Sequence, residues 1–342
     1  MAVRSRGTEI SALPDATCQP PLRVSTNVPL TIVFHAGFTA ARRVANEHDP
    51  NVPRRLDART RRLHLWGVLP LYFKLVRAVA PFDIVAHRVL WSLPFLAVLI
   101  FLSRGWPKLL QSVSQRRTLG ILVLTALLIG VNWLLYVWAV NNGHLLAASF
   151  GYYLNPLANV LLGRFVLHEK LNRLQWTAVA IAAAGISVLA AGALGQFWIS
   201  LSLCATFALY GLLRKVVSAD AVTGLAIETA ILFPVALLWL GWRYSTGVPI
   251  MGTSASLTGL LLLAGIVSTT PLLLFTAASK RLQYSTLGML QFIAPTLQFL
   301  IAVAYGEPLR TAHLIAFPAI WVALALYVTA LVRAPRLPQA PE

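Results

Sequence analysis

TLGILVLTALLIGVNWLLYVWAV (Thr118–Val140) and LLAASFGYYLNPLANVLLGRFVL (Leu145–Leu167) are two apolar runs that together hold one charged residue, Arg164. As helices rising 1.5 Å per residue, each reaches ~34 Å, enough to cross a hydrocarbon core of ~30 Å. Seven further runs have the same character: 84–103, 174–192, 196–213, 222–242, 257–278, 285–305 and 312–332. A tenth, Leu63–Val76, holds Lys74 and has only 14 residues, so it would cross only with a thinned bilayer or snorkelled ends. The predicted fold class is therefore an all-α polytopic membrane protein. Composition agrees: 58% of the 342 residues are hydrophobic and 11% charged, against about 45–50% and about 25% in soluble domains.

Residues 1–62 carry ten arginines, five acidic residues and frequent prolines, with no run long enough to span. They read as a poorly ordered basic extension. No secretory signal is recognisable, because apolar residues around 28–44 are interrupted by His35, Arg42 and Arg43. Residues 333–342 form a short tail. Cys18 and Cys204 cannot make a disulfide framework or a four-ligand zinc site, and His144, His168 and His313 are isolated, so no metal or other cofactor is expected.

The net charge of +17 raises the possibility of a nucleic-acid binder, which its distribution removes. With the N-terminus in the cytoplasm, 17 Lys and Arg fall on the inner side of the spans and three, Arg77, Arg243 and Arg310, on the outer side. Without the N-terminal extension the ratio is 12 to three. Cytoplasmic loops hold the excess of positive charge, so ten spans with both termini inside is the expected topology. The charge is spread over loops on one membrane face rather than gathered in a patch.

The two halves repeat at an offset of about 139 residues. Ala86, Arg88 and Pro94 correspond to Ala226, Glu228 and Pro234; Asn132–Leu135 to Thr270–Leu273; Pro156 and Asn159 to Pro295 and Gln298; and Glu169 to Glu307. Five spans per repeat invert the second copy relative to the first, so residues 63–192 and 196–332 are expected to be inverted five-helix repeats. In secondary transporters of that plan the solute binds near the midplane where the repeats meet.

The stretches FDIVAHRVLWS (82–92), GVNWLLYVWAVNNGHLLAASFGYYLNPLANVLLG (130–163), LYGLLRK (209–215), IETAILFP (227–234) and STLGMLQFIAPTLQFL (285–300) resemble the RarD family, in the EamA-type branch of the drug/metabolite transporter superfamily. The resemblance covers about residues 66–332. It implies two inverted EamA repeats and a place in the bacterial inner membrane, and it establishes no substrate. Two departures stand out. Arg54–Arg62 occupies what should be the apolar first half of the first helix, as a misassigned start or an upstream frameshift would produce, and His168 stands where the family has glycine before Glu169.

Tyr152, Asn155 and Asn159 share one face of the fourth span around Pro156, and Gln291 and Gln298 repeat that spacing around Pro295 in the ninth. These residues either line a central substrate cavity, with carbonyls freed by the prolines, or hold helices together at about 0.6 kcal/mol per contact. Asn132, Tyr136 and Asn141, in and after the third span, form a second candidate polar set, of which Asn132 and Tyr136, four residues apart, share a face and are the candidate substrate-binding pair. Ionisable residues inside spans are costly and point to function. Arg88, beside His87, either draws anionic groups from outside or snorkels to headgroups. Glu228 either binds a proton or cation from inside or pairs with a residue at similar depth such as Arg164. Helix rise sets Arg88 and Glu228 ~15 Å apart along the membrane normal, at opposite mouths of a pathway. Pro156, Pro295, Glu169 and Glu307 are expected to be structural.

No phosphate-cradling Gly loop, HExxH or GxSxG occurs, so uphill movement of solute would draw on an ion gradient or exchange. The leading expectation is a secondary transporter of small organic molecules, drug or metabolite, working by alternating access. An intramembrane enzyme and a non-transporting, lipid-handling scaffold are the alternatives.

Overall fold

The computed structural model describes Tyr72, Leu75, Val76 and residues 79–333, apart from 191–194, 196, 250, 252–253 and 305–310. The extension 1–62, Lys74, Glu307 and the tail 334–342 lie outside the described residues, as do the side chains of Asn141 and Gln298.

Among the described residues eleven continuous helices follow in order: α1 (Pro81–Leu102), α2 (Trp106–Ser114), α3 (Arg116–Asn141), α4 (Leu145–Phe165), α5 (Arg173–Ala190), α6 (Phe197–Val216), α7 (Ala221–Ser245), α8 (Ala255–Arg281), α9 (Tyr284–Gln291), α10 (Ile293–Ala304) and α11 (Thr311–Arg333). There is no strand among the described residues. Local chemistry sets the boundaries. Proline opens α1, where its missing N–H is no loss. Asp220 Oδ1 accepts the Thr223 amide at the start of α7, and Ser254 Oγ accepts the Leu257 amide at the start of α8. Asn172 and Gln175 exchange side-chain and backbone bonds at 2.8 Å each before α5, a reciprocal cap. Gly143, at φ 76°, turns the chain between α3 and α4.

All nine predicted spans appear as helices. Among the described residues seven helices are long and apolar enough to cross a membrane: α1, α3, α5, α6, α7, α8 and α11. The other two spans are those with the polar candidates. In α4, Tyr152, Tyr153, Asn155 and Asn159 dilute the apolar content. The ninth span, expected as one helix, is instead broken at Phe292 into α9 and α10. Pro295 contributes, since it offers no N–H to the carbonyl four residues earlier, at Gln291, and its ring crowds that carbonyl, although Pro94, Pro156, Pro234, Pro271 and Pro318 lie inside unbroken helices. The break thus falls three residues before the proline. Of the doubtful first span, Tyr72 and Leu75 are helical, Val76 is buried, and the Tyr72 hydroxyl donates to the Leu260 carbonyl at 3.0 Å.

The basic loop expected after α1 contains α2, a nine-residue helix. Its Leu109 packs inward, while Trp106, Leu110 and Val113 form an exposed apolar face near Arg104, Lys108, Arg116 and Arg117, the pattern of a helix lying in a membrane interface.

Most close helix pairs join the two halves of the chain: α1 with α7 and α8, α3 with α6 and α7, α4 with α6 and α9, and α5 with α11. Small residues permit the closest approaches. Gly265 of α8 lies against the α1 backbone at Trp91–Ser92, Gly151 of α4 against the Ser200 carbonyl of α6, and Gly185 of α5 against Ala316 and Ala319 of α11. One core gathers Leu96, Phe207, Tyr210, Leu225, Phe275 and Tyr284; another gathers Phe150, Val160, Ile186, Phe292, Ile320 and Tyr327. Outside these cores, Phe101, Leu238, Val235 and Leu127 remain exposed, an apolar exterior suited to lipid rather than water. The chain is an all-α polytopic membrane protein.

Candidate functional site

The α4 face that carries Tyr152, Asn155 and Asn159 turns inward. Asn155 and Asn159 are buried and Tyr152 is partly buried. Asn159 Nδ2 donates to Gln291 Oε1, joining α4 to the last residue of α9 beside the break at Phe292. The helices can meet there because residue 288 is glycine: a Cβ at that position would sit 2.6 Å from the Pro156 carbonyl and 2.9 Å from the Asn159 Cβ. The Oδ1 atoms of Asn155 and Asn159 are buried with no hydrogen-bond donor among the described residues. Buried amide oxygens are normally paired, and leaving one unpaired costs about 1–3 kcal/mol.

The second candidate set joins the first through Tyr152. Its hydroxyl donates to Asn132 Oδ1 at 3.4 Å, its ring meets Tyr136 edge-on at 5.5 Å, and Phe207 lies on its other side at 6.4 Å. Asn132 Nδ2 donates to the Leu203 carbonyl at 2.9 Å and to Thr206 Oγ1 at 2.8 Å, tying α3 to α6. Both ends of Asn132 are therefore engaged by protein, whereas the Oδ1 of Asn155 has no donor among the described residues. Of the ninth-span pair, Gln291 meets Asn159; Gln298 falls on α10, its side chain outside the description.

Arg88 lies on α1 with its guanidinium 3.6 Å from the centre of the Trp133 ring. Tyr152, Tyr210 and Tyr72 stand close enough to interact with its charge. Its neighbour His87 is buried.

Glu228 has a different partner from the expected one. Arg214, not Arg164, pairs with it at 3.4 Å, and it accepts hydrogen bonds from Thr125 Oγ1 at 2.6 Å and Tyr210 Oη at 3.2 Å. Side-chain exposure is 0% for Arg214 and 1% for Glu228. Arg214 also donates to the carbonyls of Asp220 and Ala221 and lies over Gly224, where any Cβ would collide with the guanidinium. Arg214 is thus a buried partner and not one of the solvated loop charges among which the inner tally placed it.

Thr125, Tyr210 and Arg214 were missed from the sequence, although Tyr210 and Arg214 stand four apart on α6, as do Gly224 and Glu228 on α7. A second missed cluster lies at the α1 N-terminal end. Asp83 pairs with Arg243 of α7 at 2.9 Å and accepts the Trp239 indole N–H at 2.9 Å. The sequence signal was an acid one residue ahead of the second apolar run.

Glu169 is a cap. Its carboxylate accepts the Tyr284 amide at 2.5 Å, the Ser285 amide at 2.9 Å and the Ser285 hydroxyl at 2.7 Å, placing negative charge on the N-terminus of α9. His168 before it has φ 54°, the left-handed conformation that glycine adopts without strain. Among the described residues no three His, Cys, Asp or Glu side chains are grouped to hold a metal.

Comparison with known proteins adds to this geometry. The model of the EamA-like transporter family matches residues 64–191. An "Uncharacterized transporter" of Vibrio cholerae is 45% identical over 265 residues, covering 77% of this chain and 88% of its own. "Protein RarD" of Escherichia coli is 45% identical over 273 residues, covering 77% and 90%. "Chloramphenicol-sensitive protein RarD" of Pseudomonas aeruginosa is 33% identical over 274 residues, covering 77% and 89%. A solved chain described as "Crystal structure of protein" shares the fold, with a TM-score of 0.61 at 21% identity over 80% of this chain and 96% of that one. A helical membrane protein with this degree of likeness over nearly the whole length of its relatives belongs to the RarD family of EamA-type transporters.

Proposed function

We propose that the protein is a secondary transporter of small organic molecules, drug or metabolite, in the bacterial inner membrane, with both termini in the cytoplasm. Two inverted five-helix repeats, residues 63–192 and 196–332, rock about a site near the midplane to give alternating access. The observation that carries this reading is the contact between Asn159 and Gln291 at the α9–α10 break. Broken helices facing a counterpart in the other half are how transporters expose polar backbone to a solute within the membrane. Tyr152, Asn155, Asn159 and Gln291 contribute directly to that site, Asn132 and Tyr136 hold Tyr152 in place, and Gln298 on α10 is the remaining candidate. The pairing of helices across the halves, α1 with α7 and α4 with α9, supports the duplicated plan.

Arg88, His87 and Glu228 are the gating and coupling groups, and a proton is the coupling ion. On protonation Glu228 would release Arg214 while keeping Thr125 and Tyr210 as partners, so α6 and α7 could separate. Flux of a solute panel into proteoliposomes tests the reading. Asn159→Ala and Gln291→Ala should each lower transport at least tenfold in protein that remains monodisperse. Glu228→Gln should abolish accumulation driven by a pH gradient and spare downhill exchange. Unchanged flux in both amide variants would make them helix glue, and pH-driven accumulation by Glu228→Gln would remove the proton.

A further inference from the structure

We infer that the solute is a small organic acid, its carboxylate held by Arg88 and its hydrogen-bond donors by the amide oxygens of Asn155 and Asn159; this rests on the reading of these residues as a transport site. The starting point is a census of negative charge. Four carboxylates occur among the described residues, and each is engaged: Asp83 with Arg243, Glu228 with Arg214, Glu169 at the α9 N-terminus and Asp220 at the α7 N-terminus. None lies within ion-pair distance of Arg88, whose contact is the face of Trp133. A ring face offsets only part of the desolvation of a guanidinium, and it leaves the N–H groups at the rim of the fork free to donate.

A planar fork of donors matches a carboxylate in bidentate fashion. One guanidinium neutralises one negative charge, which favours a monoanionic carboxylate over a phosphate dianion in a site with a single cation. A bare halide is disfavoured by the other end of the site. Asn155 and Asn159 present buried acceptors without donors among the described residues on the face of α4 shared with Tyr152, whose hydroxyl bonds Asn132, the residue next to the Trp133 on which Arg88 lies. From Tyr152 to Asn159 the helix rises ~10 Å, the length of a small metabolite with an acid at one end and N–H or O–H groups towards the other.

The test uses the full-length purified protein and four acids, each with its own carboxamide: lactate, mandelate, 4-hydroxybenzoate and phenylalanine. Thermal unfolding is followed against ligand concentration. At least one acid should bind tenfold or more tightly than its carboxamide. Arg88→Gln should bring that pair to within threefold, and Arg88→Lys should keep part of the preference. Equal binding of acid and carboxamide in every pair, no binding by any acid, or a preference that survives Arg88→Gln would overturn the inference. The wild-type comparison stands even if a variant misfolds. Liposome flux separates this from the transport reading: flux of neutral solutes without preference for acids refutes the organic acid and leaves transport intact, whereas acid-selective binding without flux of any solute refutes transport alone.

Discussion

Removing the Arg214 guanidinium while leaving Glu228 in place should destabilise the protein in a pH-dependent way. The pair is buried on both sides, at 0% and 1% exposure, and breaking such a pair by removing one partner costs about 3–5 kcal/mol, whereas replacing both by apolar residues is near neutral. In Arg214→Leu the carboxylate keeps Thr125 and Tyr210 as donors but has no cation. It can escape by binding a proton, at a cost of about 1.4 kcal/mol for each pH unit above an ordinary glutamate pKa of about 4.3. The penalty is therefore capped at about 3.7 kcal/mol at pH 7 and falls to about 1 kcal/mol at pH 5. The sign follows from linkage: the folded variant holds one more proton than the unfolded chain, so acid stabilises it. Unfolding by SDS in mixed micelles at pH 5, 6 and 7 measures this for Arg214→Leu against Arg214→Leu/Glu228→Leu. A pH-independent difference, or one below 1 kcal/mol at pH 7, would refute the reasoning.

Two further outcomes follow from the α4–α5 connection. Glu169→Ala leaves two amides and a hydroxyl at the start of α9 without their acceptor and should cost about 1–2 kcal/mol, with Glu169→Gln intermediate, in the same unfolding assay; an unchanged midpoint would mean water replaces the cap. His168→Gly should stabilise by about 1 kcal/mol, because glycine adopts a φ near 54° without the 1–2 kcal/mol left-handed penalty, while His168→Ala should bring no gain.

The apolar runs were legible because membrane spans must be long, apolar and helical. Their ends shifted by up to three residues where polar or proline residues belong to the first turn, as with Pro81 and Asp83 of α1. The break at Phe292 was less legible. Pro295 marked the disturbance, but the perturbed carbonyl lies four residues upstream. The role of Arg214 was hidden by counting: a tally by membrane side treats every Lys and Arg near a span end as solvated. Angular position would have separated it, since Tyr210 and Arg214 share a face of α6. Pairing Glu228 with Arg164 failed for the same reason, because equal depth does not bring two side chains onto facing surfaces. The glycine expected at position 168 had a conformational cause visible only in the backbone.

The two ion pairs of α7 differ in burial, and under the proposed cycle that difference sets the order of opening. Glu228 and Arg243 lie fifteen residues apart on one helix, ~22 Å by helix rise, so each pair fastens a different end. Glu228–Arg214 is fully buried, whereas Asp83–Arg243 retains 11% and 27% side-chain exposure. A partly hydrated pair contributes about 1 kcal/mol or less and can separate with water already at its charges, whereas parting the buried pair first leaves two uncompensated buried charges, so the Asp83 end should open more readily. Asp83→Asn removes most of that restraint and should raise the open fraction by up to about fivefold. A cysteine introduced at Tyr136, in a background with Cys18 and Cys204 replaced by serine, reports this as its rate of reaction with a membrane-impermeant maleimide added from the side of the α1 N-terminus. A rate that stays the same or falls would show that this pair does not restrain opening, and the order of events would have to be sought in the packing of α1 against α8.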